Sequence, residues 1–166
     1  MDRRRAKRLA HRIRQAARRH GLPRRVLTSP LQRCAAVGHW LRRWGWRHEL
    51  LPELREMDFG HWDGLPWAQI ARTEVDAWCA GFLYHRPGGG ENLNSVFDRV
   101  AAWLPPPGPV AIVSHGGWML VRRWLAGGRP PPLHADQWPA PPRYGECWRL
   151  PAGLLRPLTC AAGDAP

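Results

Sequence analysis

The stretch PVAIVSH, residues 109–115, is an unbroken apolar run that meets GGWMLVRRWLAGG with no linker between them. Apolar residues in succession, without alternation, predict a strand covered on both faces, as inside a parallel sheet. The residues that follow at once have helical character, so the chain passes from strand to helix within a residue or two. Covering both faces of such a strand requires helices on both sides of it. The expected fold class is therefore α/β, three layers α/β/α around a mostly parallel central sheet.

The rest of the chain fits that scheme. Ala6, Leu9, Ala10, Ile13, Ala16 and Ala17 recur at helical spacing, so residues 2–20 read as an amphipathic helix that Asp2 can cap and Gly21 with Pro23 can end. RRVLTSP reads as a strand stopping at Ser29-Pro30, and LQRCAAVGHWLRRWG as a helix. HELLPELREM is an expected edge strand, because Pro52 sits inside it. FGHWDGLPW is a turn-rich loop, AQIARTEVDAWCAGF a helix, HRPGGGEN a loop and LNSVFDRVAAWL an amphipathic helix. RYGECWRL is the expected last strand. Residues 1–156 are read as one domain and 157–166 as a loose tail.

Composition narrows the function classes. Residues 1–33 hold 11 Arg and one Lys against one Asp, whereas the remainder holds 13 Arg against 12 acids. Lys7 is the only lysine, and 17 Gly and 18 Pro accompany the arginines, a pattern of GC-rich coding. The charge therefore reads first as a solvated arginine face on one helix, with a polyanion-binding arm and a phosphate-attracting field around a site as the alternatives, and no nucleic-acid partner is expected from it. No apolar run is long enough to span a bilayer, and no apolar segment follows the first charged residues as in a secretory signal. Cys34, Cys79, Cys147 and Cys160 show no metal-type spacing and read as reduced thiols. The expectations are a cytoplasmic location, no membrane partner, no metal and no cofactor.

Three positions offer chemistry. His115 ends the apolar strand, and Gly116 and Gly117 open the next helix, whose free N–H groups suit an anion. An imidazolium there would bind a phosphate oxygen; a histidine merely packed at a strand end fits the same residues. Arg33 stands in the first turn after Ser29-Pro30, and its guanidinium offers a fork of donors matched to phosphate. Glu56 precedes a glycine-containing aromatic turn. It is either a surface glutamate or a carboxyl whose pKa a nearby dianion would raise, making it a proton donor.

Arg33, Glu56 and His115 follow in order at successive strand exits. With LTSPLQRC, LREMDFGHWDG, PGGGEN, VSHGGW and YGECWRL, running from about residue 25 to 150, the chain resembles the histidine phosphatase superfamily, the phosphoglycerate mutase-like proteins. REMDFGHWDG with Trp67 and Trp78 is most similar to the small bacterial alpha-ribazole phosphatase type. The resemblance implies phosphate binding by Arg33, His115 and Gly116, catalytic roles for His115 and for Glu56 as proton donor, and a small phosphorylated metabolite as substrate. PGGGEN has one glycine more than the usual loop, and Asp63 stands where many members have Glu.

In that family the nucleophile is a histidine in an RHG triplet that ends an N-terminal apolar strand. ARRHG, at residues 17–21, carries the triplet on His20, but it follows a helix and lies only a short turn before RVLTSP. His20 is therefore expected to be the last turn of that helix, and no residue of the chain is assigned as nucleophile. The resemblance then implies that the first, internal strand of the sheet is missing, leaving an apolar edge unpaired. It also implies a phosphatase whose start codon was assigned too late or whose gene is truncated, and a given chain that is inactive. A pseudophosphatase that binds phosphorylated ligands and an arginine-rich nucleic-acid-binding protein are the alternatives.

Overall fold

Helix α1, Arg3–Arg19, packs Ala6, Ala10 and Ala17 inward and leaves its arginines outside. The computed structural model describes residues 3–149, so Asp2, Leu150 and the expected tail at 157–166 lie outside the described residues. Gly21, at φ 63°, takes the left-handed position after α1, and Leu22 N–H donates back to Ala17 C=O at 2.9 Å. That bond satisfies a carbonyl the helix end would otherwise leave open.

Strand β1 (Arg25–Thr28) leads into helix α2 (Gln32–Arg43), which is followed by strand β2 (Arg47–Leu50). Helices α3 (Arg72–Ala80) and α4 (Leu93–Ala102) come next, then strand β3 (Ala111–Val113) and helix α5 (Gly116–Ala126). The three strands form a sheet in the order β2-β1-β3, with both pairings parallel. Val26 pairs with His48 on one side and Ala111 on the other.

The pleat of β1 separates two cores. Val26 joins Ala6, Ala10, Val37 and Leu41 beneath α1 and α2. Leu27, on the opposite face, joins Val96, Phe97, Trp118 and Val121 beneath α4 and α5. In β3, Val113 and Ile112 divide between the same two clusters. The architecture is thus the α/β sandwich of helices around a parallel sheet that the apolar run at 109–115 demands, and β2 is an edge strand as expected.

Three local expectations are corrected. Pro52 is not inside β2: the strand ends at Leu50 and Pro52 begins a 3₁₀ turn, Pro52–Leu54, because proline fixes φ and has no N–H for the ladder. The helix expected from Ala68 starts at Arg72, since Ala71 is extended and Trp67–Gln69 forms a separate 3₁₀ turn. RYGECWRL is not a strand over its described residues. Gly145 has φ 73°, Glu146 N–H donates to Arg143 C=O at 2.9 Å, and the Glu146 carboxylate accepts from Arg143 N–H at 2.9 Å. That closed turn uses the backbone groups a sheet ladder would need. The segment lies instead across α1, where Arg149 contacts His20 at 2.8 Å. Among the described residues no helix is long and apolar enough to cross a membrane.

Candidate functional site

Parallel strands deliver their C-terminal ends to one edge of the sheet, and α2 and α5 begin there. Arg33 is in the first turn of α2, five residues after β1 ends, and His115 caps α5, two residues after β3 ends. The structure brings the two together: Arg33 Nε donates to His115 Nδ1 at 2.8 Å. On the other side of the ring, His115 Nε2 meets Ser29 Oγ at 2.8 Å. Because Nδ1 accepts, Nε2 carries the proton and donates to Ser29, whose oxygen also accepts from Leu31 N–H at 3.2 Å.

This arrangement holds a neutral imidazole. His115 is 5 % exposed, and burial, then the charges of Arg33 and Arg99, push its pKa from 6.5 down to about 3. Of the two readings the sequence allowed, the structure shows the packed one: a neutral ring with both nitrogens engaged. Cys34 lies against it, with Sγ 3.4 Å from Nε2 and 3.3 Å from the Ser114 carbonyl. Burial pushes the Cys34 thiol up to about 12, against the opposing pull of Arg33 and with a further push from Glu56. It is a protonated, packed thiol.

Glu56 arrives from the loop after β2. Its carboxylate accepts from Gly117 N–H at 3.2 Å and from Met57 N–H at 3.1 Å, so it sits on the first turn of α5. A Cβ at Gly117 would collide with that carboxylate. This is the reason for the glycine pair after His115: the second glycine gives Glu56 its place. Pro141 and Pro142 pass over Gly116, where an added Cβ would be 3.8 and 3.7 Å from them.

An ion pair fixes the Glu56 loop from behind. Arg99 on α4 binds Glu91 through Nη2 at 2.9 Å and Nε at 3.1 Å. Its Nη1 donates to the carbonyls of Glu53 and Arg55 at 2.9 and 3.0 Å. Glu91 N–H in turn donates to Asp58 C=O at 2.7 Å. Gly90 permits this approach, because a Cβ there would strike the same carbonyl. Trp118 Nε1 and Ser114 Oγ donate to Glu53 and Leu54 carbonyls at 2.9 and 2.8 Å, tying the loop to α5 and the end of β3.

Arg33, Glu56, His115 and Gly116 therefore converge around the start of α5. Ser29, Cys34, Arg99 and Glu91 complete the surroundings, and sequence reading did not single them out. Ser29 had a local signal, since it is the residue at which β1 stops. Glu91 lies within PGGGEN, a stretch that carries the resemblance, but nothing there marked it as the partner of Arg99, which is an ordinary polar position until the two loops are folded together. His20 is not among these residues. It precedes β1 rather than following it, lies at the opposite end of the sheet, and is exposed beside Arg149.

A model of the histidine phosphatase superfamily (branch 1) matches residues 2–138. The chain belongs to this superfamily. Among solved structures it is similar to a mycobacterial glucosyl-3-phosphoglycerate phosphatase in complex with inorganic phosphate, at 27% identity over 77% of this chain and 68% of that one, with a TM-score of 0.58. It is also similar to the protein TTHB049 of Thermus thermophilus, at 27% identity over 75% of this chain and 67% of that one, with a TM-score of 0.52. No curated protein matches the chain significantly in sequence.

Proposed function

We propose that the cluster at the start of α5 binds the phosphate of a small phosphorylated metabolite, as part of a phosphomonoester-hydrolysing machinery. The observation that carries this reading is the meeting of Arg33 and His115 across the ends of β1 and β3, with Glu56 held on the same helix start. Arg33 supplies a guanidinium fork, and the backbone at Gly116 supplies close approach at a helix N-terminus. An arriving phosphate dianion competes with His115 for Arg33 and favours a protonated ring. Glu56, held on the first turn of α5 by the Gly117 N–H, is the proton donor to the leaving oxygen.

His20 is not the acceptor of the phosphohistidine through which this superfamily works, a reading supported by its place before β1, at the other end of the strand from the cluster. The 166-residue chain accordingly binds phosphate without appreciable turnover. Resemblance in REMDFGHWDG points to alpha-ribazole phosphate as ligand, and the mycobacterial neighbour makes glucosyl-3-phosphoglycerate the natural comparison.

Calorimetric titration with inorganic phosphate and both esters tests the reading. Arg33→Ala is expected to weaken phosphate binding by about 1.5–3 kcal/mol, the scale of a hydrogen bond to a charged group. Unchanged binding removes Arg33 from the site. Phosphoryl labelling that maps to His20 overturns the argument about the nucleophile.

A further inference from the structure

The sequence alone favours a solvated arginine face on the first helix. The fold adds three facts about that face. Residues 3–48 contain no acidic residue, and α1 and α2, which pack together on one side of the sheet, both lie within them. Cations and indoles interleave across the α1–α2 seam. Lys7 lies over Trp40 at 5.0 Å, the His11 ring is tilted against Trp44 with centroids 4.4 Å apart, and Arg14 lies over Trp44 at 5.6 Å. Beyond Trp44 a cavity of about 240 Å³ is lined by Arg14, Arg18, Arg24, Trp44 and Trp46. Among the described residues no carboxylate pairs with Arg14, Arg18 or Arg24.

We propose that this face, the row Lys7–His11–Arg14–Arg18 with Arg24 and the half-buried indoles of Trp40 and Trp44, is a binding surface for single-stranded nucleic acid. Positions 7, 11, 14 and 18 share one helix face. At 1.5 Å per residue the row is about 16 Å long. That matches about five phosphates of one stacked strand. The aromatic component matters as well: indoles set among cations suit a ligand with both phosphates and planar bases.

A lipid surface fits less well. The apolar stripe of α1 is buried in the core, and the large exposed apolar side chains, such as Leu50, Trp67 and Leu104, lie on neither α1 nor α2. There is no apolar wedge on this face to enter a bilayer. Arg24 precedes β1, so the cavity is at the opposite end of the strand from Arg33. The surface is therefore separate from the proposed phosphate site, and either can fail without the other.

The test is anisotropy of a fluorescein-labelled mixed-sequence 20-nucleotide RNA, titrated with the full chain between 50 and 300 mM KCl. Four phosphate contacts give a log–log salt slope of about −3, taking −0.7 per phosphate. Arg14→Gln/Arg18→Gln/Arg24→Gln is expected to reduce the slope by about 2 and to weaken binding at least tenfold near 100 mM salt. The control Arg72→Gln/Arg129→Gln/Arg143→Gln removes the same charge elsewhere and is expected to stay within threefold. Circular dichroism of both variants establishes that they are folded. If the first triple variant does not fold, Arg18→Gln/Arg24→Gln is read instead, with a slope reduction of about 1.4. A slope shallower than −1, equal losses in the two triple variants, or tighter binding to phosphatidylserine vesicles or to inorganic polyphosphate than to RNA overturns the proposal.

Discussion

Replacing His115 with glutamine tests the charge state of the site directly. In the folded chain the imidazole accepts from Arg33 and donates to Ser29, and its pKa is pushed down to about 3. In the unfolded chain it returns to about 6.5. Between these values the unfolded state holds a proton that the folded state does not, so stability falls as pH drops below 6.5 and the loss is complete near pH 3. The steepest slope is about 1.4 kcal/mol per pH unit, and the accumulated loss at pH 5 is about 2 kcal/mol. His115→Gln removes this titration. The variant is less stable than the parent at pH 8, because it loses the imidazole's bonds, but the gap should narrow by about 2 kcal/mol at pH 5. For a domain of this size that is a relative Tm shift of roughly 4–8 °C. Thermal unfolding of both chains in matched buffers from pH 8 to pH 4 reads the difference, in which the carboxylates common to both cancel. Parallel Tm–pH curves, or an NMR titration placing the His115 midpoint near 6.5, would refute the neutral, doubly engaged ring.

Gly117→Ala separates the site from the fold. The new methyl displaces the Glu56 carboxylate from Gly117 N–H, while alanine improves the helix by up to about 1 kcal/mol. Denaturant unfolding should show a net change within about 2 kcal/mol, whereas affinity for a phosphate ester should lose the contribution of Glu56. Arg122 presents the opposite case. The residue is 5 % exposed, and its guanidinium lies over the Trp103 ring at 5.7 Å, donates to Val100 C=O at 3.2 Å and leaves Nη2 without a hydrogen bond. Arg122→Met should be neutral or stabilising by about 1 kcal/mol in urea unfolding, since it removes a buried charge that no carboxylate among the described residues neutralises while keeping most of the volume and the contact with Trp103.

The elements legible in the sequence were those whose periodicity reflects burial. Ala6, Ala10 and Ala17 reported the inner face of α1, and Leu93, Val96, Phe97 and Val100 reported that of α4. The run before His115 reported a strand covered on both sides. RYGECWRL misled because its apolar and aromatic residues suggest a strand, while Gly145 and Glu146 close a turn that only backbone geometry reveals. In the site, order at strand exits together with the family resemblance of the surrounding motifs grouped Arg33, Glu56 and His115. The bond between Arg33 and His115 was not legible: 82 positions separate them, and which nitrogen accepts depends on how the ring is buried. The same burial decides between the charged and the packed histidine that the sequence left open, in favour of a neutral ring.

The four residues of β1 serve as a party wall. One side chain, Val26, is shared with the helices on one side and its neighbour, Leu27, with those on the other. Neither storey can be loosened while the other stays intact, because each rests on the same short span of backbone. Damage deep under α4 is thus expected to be felt under α1, and the molecule to come apart in a single cooperative event rather than layer by layer.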